Sequence, residues 1–385
     1  MLLAAAAALA SFTAPNVTIE QIAWDVTEQD GDFFLPMLAM VDPADSAALA
    51  EGMHDQTLAH YGRSDLIAGH SSFHERRRCS VADSDAISLD ALLEQAAATR
   101  ILIINEAHAA PWHRDTTRAL LAPLKALGYT HFAAETFANP QGDAPDPVAT
   151  HPDEPFARRT DGTYFDPAFG RLVREAKALG FTLAAYEESG GYDPDLSPEE
   201  RIARREAFQA AELAKLLADN PDARVVVHVG HAHVREEPIL FPDGRKDEWM
   251  ALRLARESGI DPLTIAQTYC TGPVGSAMRI LPVPTDLRAE IGVDYGLEVA
   301  PPEDFRVRGD EAIAINIPPS WRAASGWTVV EAMHADEPDV AIPADSLAVH
   351  ASETGNKFLY LESGRYRIRL RPVDNIPSDV RRAGH

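Results

Sequence analysis

The sequence predicts an α/β fold in which a mostly parallel sheet is flanked by helices and followed by a β-rich C-terminal addition. Three observations predict it. Five short runs between residues 100 and 268 are aliphatic enough to be strands buried on both faces. The spacers between these runs contain helices, most of them marked by apolar residues at helical spacing. Beyond residue 282 the chain changes to prolines and short alternating runs, which are typical of β structure.

The predicted strands cover residues 100–105, 131–134, 182–186, 224–229 and 263–268. The predicted helices between them cover residues 116–127, 167–179, 198–219 and 247–257. Repeated strand–helix–strand units imply parallel pairing through right-handed crossovers. We therefore expect an α/β core.

The chain divides into four segments in this interpretation. Residues 1–15 form an apolar, Ala-rich stretch similar to a secretory signal without its basic start, and residues 16–85 form an N-terminal extension. Residues 86–281 form the catalytic core, and residues 282–385 form the β-rich part, in which 358–361 and 366–370 predict a β-hairpin. The apolar stretch is shorter than the roughly 20 residues that a bilayer requires. We expect no transmembrane segment and a periplasmic or secreted location, or otherwise a cytoplasmic one.

Composition narrows the classes of partner. The 385 residues carry 35 Lys and Arg against 59 Asp and Glu, a net charge of −24. Because such a charge repels phosphate backbones, we expect a small-molecule or peptide substrate and no nucleic acid; the oligomeric state is left open. Cys79 and Cys270 are too few for a disulfide framework or a four-cysteine zinc site, but one bridge between them stays open. Phosphate-loop and dinucleotide-binding motifs are missing from the sequence.

Charged side chains follow the predicted strands at their carboxyl ends, where open α/β sheets bind ligands. Such residues avoid burial unless they are paired, so four strand ends carrying them indicate one common pocket. The residues are Glu106 and His108, then Glu135, then Glu187 and Glu188, and then His231 and His233.

The spacing permits two kinds of hydrolytic chemistry. Glu106 and His108 lie two residues apart, as do His231 and His233, and in extended chain such pairs point to the same side. These four residues could hold a divalent metal ion that activates water. Without a metal, Glu135 or Glu106 could act as the general base while a histidine protonates the leaving group.

Four motifs resemble those of the erythromycin esterase and ChaN-like superfamily, which includes the TIKI and TraB metalloproteases. They are IINEAH at 103–108, AAETF at 133–137, REAFQA at 205–210 and VGHAHV at 229–234. The resemblance covers about residues 86–270. Two positions depart from the family pattern: Asn105 stands where glycine is usual, and Gln209 where methionine is common.

The resemblance implies a site and two functions. Glu106 and His108 would form the first catalytic pair, Glu135 the water-activating base and Arg205 a brace or a positive charge for a developing oxyanion, with the site completed by His231 and His233. Family members include metal-independent esterases, metal-dependent proteases and haem-binding lipoproteins. The first function is therefore ester or amide hydrolysis, with or without Zn, Mn or Co.

The alternative function is a haem- or iron-binding envelope protein that uses the same histidines as ligands. A third reading makes the β-rich part a partner-binding module on a degenerate α/β scaffold.

Overall fold

The computed structural model describes residues 13–14, 16–25, 32, 34–44, 49, 53–68, 86–137, 148, 151–188, 193–242, 244–309 and 311–374. Most of the signal-like segment lies outside these residues, so that segment and the location inferred from it stay predictions. Cys79 also lies outside them, and its pairing with Cys270 stays open. No described helix is long and apolar enough to cross a bilayer.

The described helices, in chain order, are α1 (Phe34–Ala39), α2 (His54–His60), α3 (Ser64–Ile67), α4 (Leu89–Ala98), α5 (Pro111–Ala126), α6 (Pro167–Ala178), α7 (Pro198–Asp219), α8 (Met250–Ser258) and α9 (Thr285–Ile291). The described strands are β1 (Thr13–Ala14), β2 (Val17–Trp24), β3 (Ile101–Glu106), β4 (His131–Ala134), β5 (Thr182–Ala184), β6 (Val225–Gly230), β7 (Ile239–Leu240), β8 (Lys246–Asp247), β9 (Leu263–Ala266), β10 (Arg279–Pro282), β11 (Tyr295–Glu298), β12 (Ile313–Asn316), β13 (Trp327–His334), β14 (Asp345–His350), β15 (Phe358–Leu361) and β16 (Gly364–Val373).

The chain forms two compact units. The first unit comprises Arg76–Tyr164 and Leu172–Pro302, and the second comprises Met1–Glu75, Phe165–Arg171 and Glu303–His385. Each unit is built around its own sheet and is described separately.

The first unit contains a seven-stranded sheet in the order β10-β11-β9-β3-β6-β4-β5. Every neighbouring pair is parallel except β10 with β11, so the predicted mostly parallel α/β fold is confirmed. All five predicted strands form, and the central β3 and β6 are buried along their whole length. The sheet continues beyond residue 281 through β11, whose residues YGLE lack the continuous aliphatic run of the predicted strands.

Local sequence fixes where the helices near the sheet begin. Ser197 caps α7 by accepting the backbone N–H of Glu200, and the Glu200 carboxylate accepts the N–H of Ser197 in return. Pro111 begins α5 five residues before the predicted start, since proline suits the first helical position. This earlier start places His113 and Arg114 in the first turn, close to the end of β3.

The second unit contains a five-stranded sheet in the order β1-β2-β16-β13-β14, with β12 and β15 forming a separate pair. The predicted hairpin is wrong: β15 pairs with β12, whereas β16 pairs with β13 and, in parallel, with β2. Alternating side chains predict that a segment is a strand but not which strand it pairs with. β1 and β2, from the N-terminal part of the chain, thus join a sheet made otherwise from the C-terminal part.

One face of this second sheet carries a buried ionic cluster. Arg371 lies 2.7 Å from the carboxylate of Asp32, which also accepts the Tyr61 hydroxyl at 2.8 Å. Arg369 lies 2.6 Å from Glu331. These pairs neutralise charges that could not be buried singly.

Candidate functional site

Glu106, the last residue of β3, is fully buried and holds four hydrogen bonds. Arg114 on α5 donates to both carboxylate oxygens at 2.7 Å. The rings of His108 and His228 each lie 3.0 Å from one of these oxygens. Burial would raise the pKa of Glu106, but the charge of Arg114 and the bonds from the two histidines hold it well below its usual range. Glu106 is therefore an ionised carboxylate with both oxygens engaged.

His108 is oriented by this carboxylate. Its Nδ1 faces Glu106 and donates the proton, because a carboxylate only accepts. The opposite edge of the ring, with Nε2, lies against Gly230. Tyr164 stacks on the ring with centroids 5.0 Å apart, and the guanidinium of Arg114 lies over the same tyrosine. His108 thus keeps one nitrogen available at the carboxyl ends of the strands.

Two partners of Glu106, Arg114 and His228, are not predicted as site residues from the sequence. Arg114 lies eight residues further on, and only the early start of α5 directs it back to the strand end. His228 lies within β6, with Nδ1 3.2 Å from the Thr117 hydroxyl and Nε2 on Glu106. The available signal for Arg114 was its place three residues after Pro111, a residue suited to the first position of a helix.

Glu135, just beyond β4, forms the centre of a second cluster. Its carboxylate accepts the backbone N–H of Gly230 and pairs with Arg205, while His233 Nε2 lies 3.3 Å away. Burial would raise the pKa of Glu135, but the charges of His233, Arg205 and His108 hold it well below its usual range. Glu135 is therefore ionised at neutral pH.

Gly230 joins the two clusters. A Cβ built on this residue would lie 2.7 Å from Nε2 of His108 and 2.9 Å from Oε2 of Glu135. Its φ is −80°, so the backbone conformation does not require glycine here. The requirement is the close approach of both side chains to the same Cα. Glu135 and His108 consequently share one space at the end of β6.

His233 lies buried between two carboxylates. Its Nδ1 is 2.9 Å from Glu206, which also accepts the backbone N–H of Met250 at the start of α8. Burial would lower the pKa of His233, but Glu135 and Glu206 raise it to about 10. His233 is thus an imidazolium at neutral pH, and its 3.3 Å approach to Nη1 of Arg205 is a contact of two cations within a ring of carboxylates.

Arg205 lies on α7 and reaches Glu135 and Glu187 at once. Its Nε lies 2.9 Å from Glu187, its Nη2 pairs with both carboxylates, and Gln209 supports Glu187 at 3.0 Å. Burial would lower the pKa of Arg205, but the two carboxylates raise it above its usual value. The side chain is 36% exposed, so a ligand at the rim of the site can reach part of it.

His231 is exposed at the rim of the site. Its ring stands edge-on to that of His108 with centroids 5.0 Å apart. Its φ is +36°, a left-handed conformation that is costly for a residue with a side chain. His231 begins the short 3₁₀ helix His231–Val234, which turns the chain so that His233 points inward to Glu206.

The structure brings all six sequence-derived site residues to one edge of the sheet: Glu106, His108, Glu135, Arg205, His231 and His233. Glu187 belongs to the same cluster, whereas Glu188 pairs with Arg204. His113 has a structural contact in the same unit, since its Nδ1 accepts the backbone N–H of Ala107 at 3.0 Å. Glu206 belongs to the REAFQA motif but was not predicted as a site residue, and its contact with His233 is seen only in the structure.

As arranged, the proposed metal ligands do not fit an ion. Among the residues that the structure describes, no group of three or more His, Cys, Asp or Glu side chains could hold one. Glu106 gives both oxygens to Arg114, and His233 is held as a cation between carboxylates. A haem between His108 and His231 does not fit either, because their rings are in edge contact.

Comparisons with known proteins place no family on the chain. No family model matches, and no curated protein matches. A structure of the C-terminal region of Pasteurella multocida toxin, described as containing a thiol-protease-like catalytic triad, is 15% identical with a TM-score of 0.34 and covers 55% of this chain and 28% of that one.

Two further solved structures are similar at the same level. RRSP, a MARTX toxin effector domain from Vibrio vulnificus, is 16% identical with a TM-score of 0.30, covering 52% of this chain and 43% of that one. The type III effector HopBA1 is 15% identical with a TM-score of 0.34, covering 57% of this chain and 98% of that one. The chain thus spans less than half the length of the first two structures. Likenesses at these TM-scores carry no argument about activity.

Proposed function

We propose that the protein is a hydrolase that cleaves an ester or amide bond, with His108 as its general base. The observation that carries the proposal is the Glu106–His108 pair, whose free imidazole nitrogen faces Glu135 across Gly230. A carboxylate that fixes one imidazole nitrogen and leaves the other for proton transfer is a recurrent device of hydrolytic sites.

His108 suits the role of base better than either glutamate. Glu106 and Glu135 have pKa values well below the usual range, and both oxygens of each already accept hydrogen bonds or ion pairs. A weakly basic carboxylate whose oxygens are already engaged removes a proton from water poorly at neutral pH. The geometry therefore favours His108 as the general base, a role that the sequence predicts for Glu135 or Glu106.

The proposed reaction begins with proton transfer from water to Nε2 of His108. The water oxygen attacks the carbonyl carbon, and the resulting oxyanion is stabilised by the positive charge of Arg205. The tetrahedral intermediate then collapses, the bond to the alcohol or amine breaks, and the leaving group takes the proton from the His108 imidazolium, which returns His108 to its neutral form. Glu106 stays ionised throughout and stabilises the imidazolium.

We also propose the relationship to the erythromycin esterase and ChaN-like superfamily. It is supported by the position of the matching motifs, whose Glu106, His108, Glu135, Arg205 and His231 lie together although they are far apart in sequence. At the two positions that depart from the family pattern, Asn105 donates a hydrogen bond to the backbone carbonyl of His231, and Gln209 donates one to the carboxylate of Glu187.

The proposal is tested by hydrolysis of p-nitrophenyl esters of graded chain length and of a short-peptide library. We expect turnover of at least one compound, and a loss of about 100-fold or more in kcat for His108→Gln with an unchanged melting temperature. The matched control is His151→Gln, which changes a half-exposed histidine of the same unit and should leave kcat unchanged. Absence of turnover on both panels, or full activity of His108→Gln, would contradict the proposal.

A further inference from the structure

Asn105 is the buried residue before Glu106, and both ends of its side-chain amide are engaged. Nδ2 donates to the backbone carbonyl of His231 and to the Thr268 hydroxyl, the latter at 2.8 Å. Oδ1 accepts the backbone N–H of Gln267 at 2.7 Å. The amide therefore ties the end of β3 to the segment after β9 and to the turn after β6.

The bond to His231 falls on the strained residue of the site. The φ of +36° puts the Cβ of His231 close to its own carbonyl group, a conformation that persists only where neighbours enforce it. Asn105 holds that carbonyl group from the side of β3. The imidazole that this conformation directs stands edge-on against His108.

Asparagine meets a requirement that few side chains share. The position needs a donor directed at His231 and, at the same time, an acceptor directed at Gln267. Aspartate has the shape but only accepts, and serine is too short to reach both partners. Glycine would leave the carbonyl of His231 and the N–H of Gln267 without this partner.

We infer that Asn105 is a positioning residue that holds His231 in its left-handed conformation and thereby sets the contact between His231 and His108. The catalytic consequence rests on the proposed hydrolase function, whereas the structural consequence does not. Asn105 touches neither the reacting water nor the scissile bond in this scheme. It acts through the backbone of His231.

The test compares Asn105→Asp with Thr268→Val. The first variant removes the donor to His231 and keeps the shape, and the second removes only the other acceptor of the same Nδ2. Selective ¹³C-histidine labelling allows the nuclear Overhauser effect between the His108 and His231 rings to be measured. We expect Asn105→Asp to lose this effect and about 100-fold in kcat with little change in KM, and Thr268→Val to keep both.

Asn105→Ser, which is neutral, provides the same comparison if the added charge prevents folding. A second measurement uses His231→Gly, because glycine adopts positive φ without strain. In that background Asn105→Ser should lower the melting temperature by less than it does in the wild type. An equal loss in both backgrounds would overturn the inference.

The outcomes separate the two proposals. If Asn105→Asp keeps the ring-to-ring effect and kcat, the positioning role is refuted, while a loss of activity in His108→Gln would still support the hydrolase. If the wild type hydrolyses nothing and the variant still loses the ring contact, the positioning role is supported and the hydrolase is rejected.

Discussion

Arg114→Met should be among the most destabilising single changes in the first unit. It removes the guanidinium from a pair in which both side chains are buried, Arg114 1% and Glu106 0% exposed. Methionine keeps most of the volume of the stem, so the loss is mainly electrostatic. Glu106 would then remain as a buried carboxylate with only two imidazoles beside it.

The magnitude follows from the burial of the pair. Removing one partner of a buried ion pair costs about 3–5 kcal/mol, because the other charge stays without compensation. His108 and His228 can each share a proton with Glu106, which favours the lower end, about 3 kcal/mol. For a unit of this size that loss lowers the melting temperature by roughly 6–12 °C.

Differential scanning calorimetry at pH 7 measures this effect. The matched control is Lys215→Ala, which breaks the Lys215–Asp219 pair, whose members are 69% and 60% exposed, and should leave the melting temperature unchanged. The double variant Glu106→Gln/Arg114→Met, which removes both charges, should recover about half of the loss. A melting temperature for Arg114→Met within about 2 °C of the wild type would refute the buried, ionised state of Glu106.

Three further predictions concern pH and metals. Burial raises the pKa of Glu236 to about 8, so its contribution to stability is present below the unfolded pKa of about 4.3 and is lost as pH rises through 8. In urea titrations, Glu236→Gln should therefore stabilise the protein by about 2–4 kcal/mol at pH 8.5 but not at pH 4. Glu237→Gln is the exposed control, and equal effects of Glu236→Gln at both pH values would contradict this prediction. Burial would raise the pKa of Glu353, but its hydrogen bonds and ion pair with Arg63 lower it to about 2. The contribution of Glu353 to stability is therefore present above about pH 4.3 and is lost as pH falls through 2. Glu353→Gln should thus cost about 2–3 kcal/mol at pH 7 and less than about 1 kcal/mol at pH 2, and an equal cost at both pH values would refute the assignment. Dialysis against EDTA should leave hydrolysis unchanged, because the Glu106–His108 pair needs no ion, whereas loss of activity that Zn or Mn restores would favour the metal-dependent form.

The sheet of the first unit could be predicted because its signal is local. A parallel strand buried on both faces is a continuous aliphatic run, and β3 and β6 read as such from sequence alone. Pairing in the second unit is not local. β2 lies beside β16 across almost the whole length of the chain, and nothing in either segment indicates the other as its partner.

The same distinction applies to the site. His108 and His231 stand directly after strands, where the rule on carboxyl ends of parallel sheets applies. Arg114 and Glu206 lie on helices, and their roles depend on which way a side chain points and on a neighbour far along the chain. The choice of general base could not be made from the sequence either, because only the hydrogen bonds around Glu135 in the structure indicate that its oxygens are already engaged.

The account depends on the clusters around Glu106 and Glu135 acting as one site. The most direct measurement is kcat/KM of His108→Gln, Glu135→Gln and the double variant on an ester that the wild type hydrolyses. Residues of one catalytic unit are non-additive, so we predict that the double variant loses no more than about tenfold beyond the worse single one. Losses that multiply in full, or wild-type kcat/KM in His108→Gln, would contradict the account.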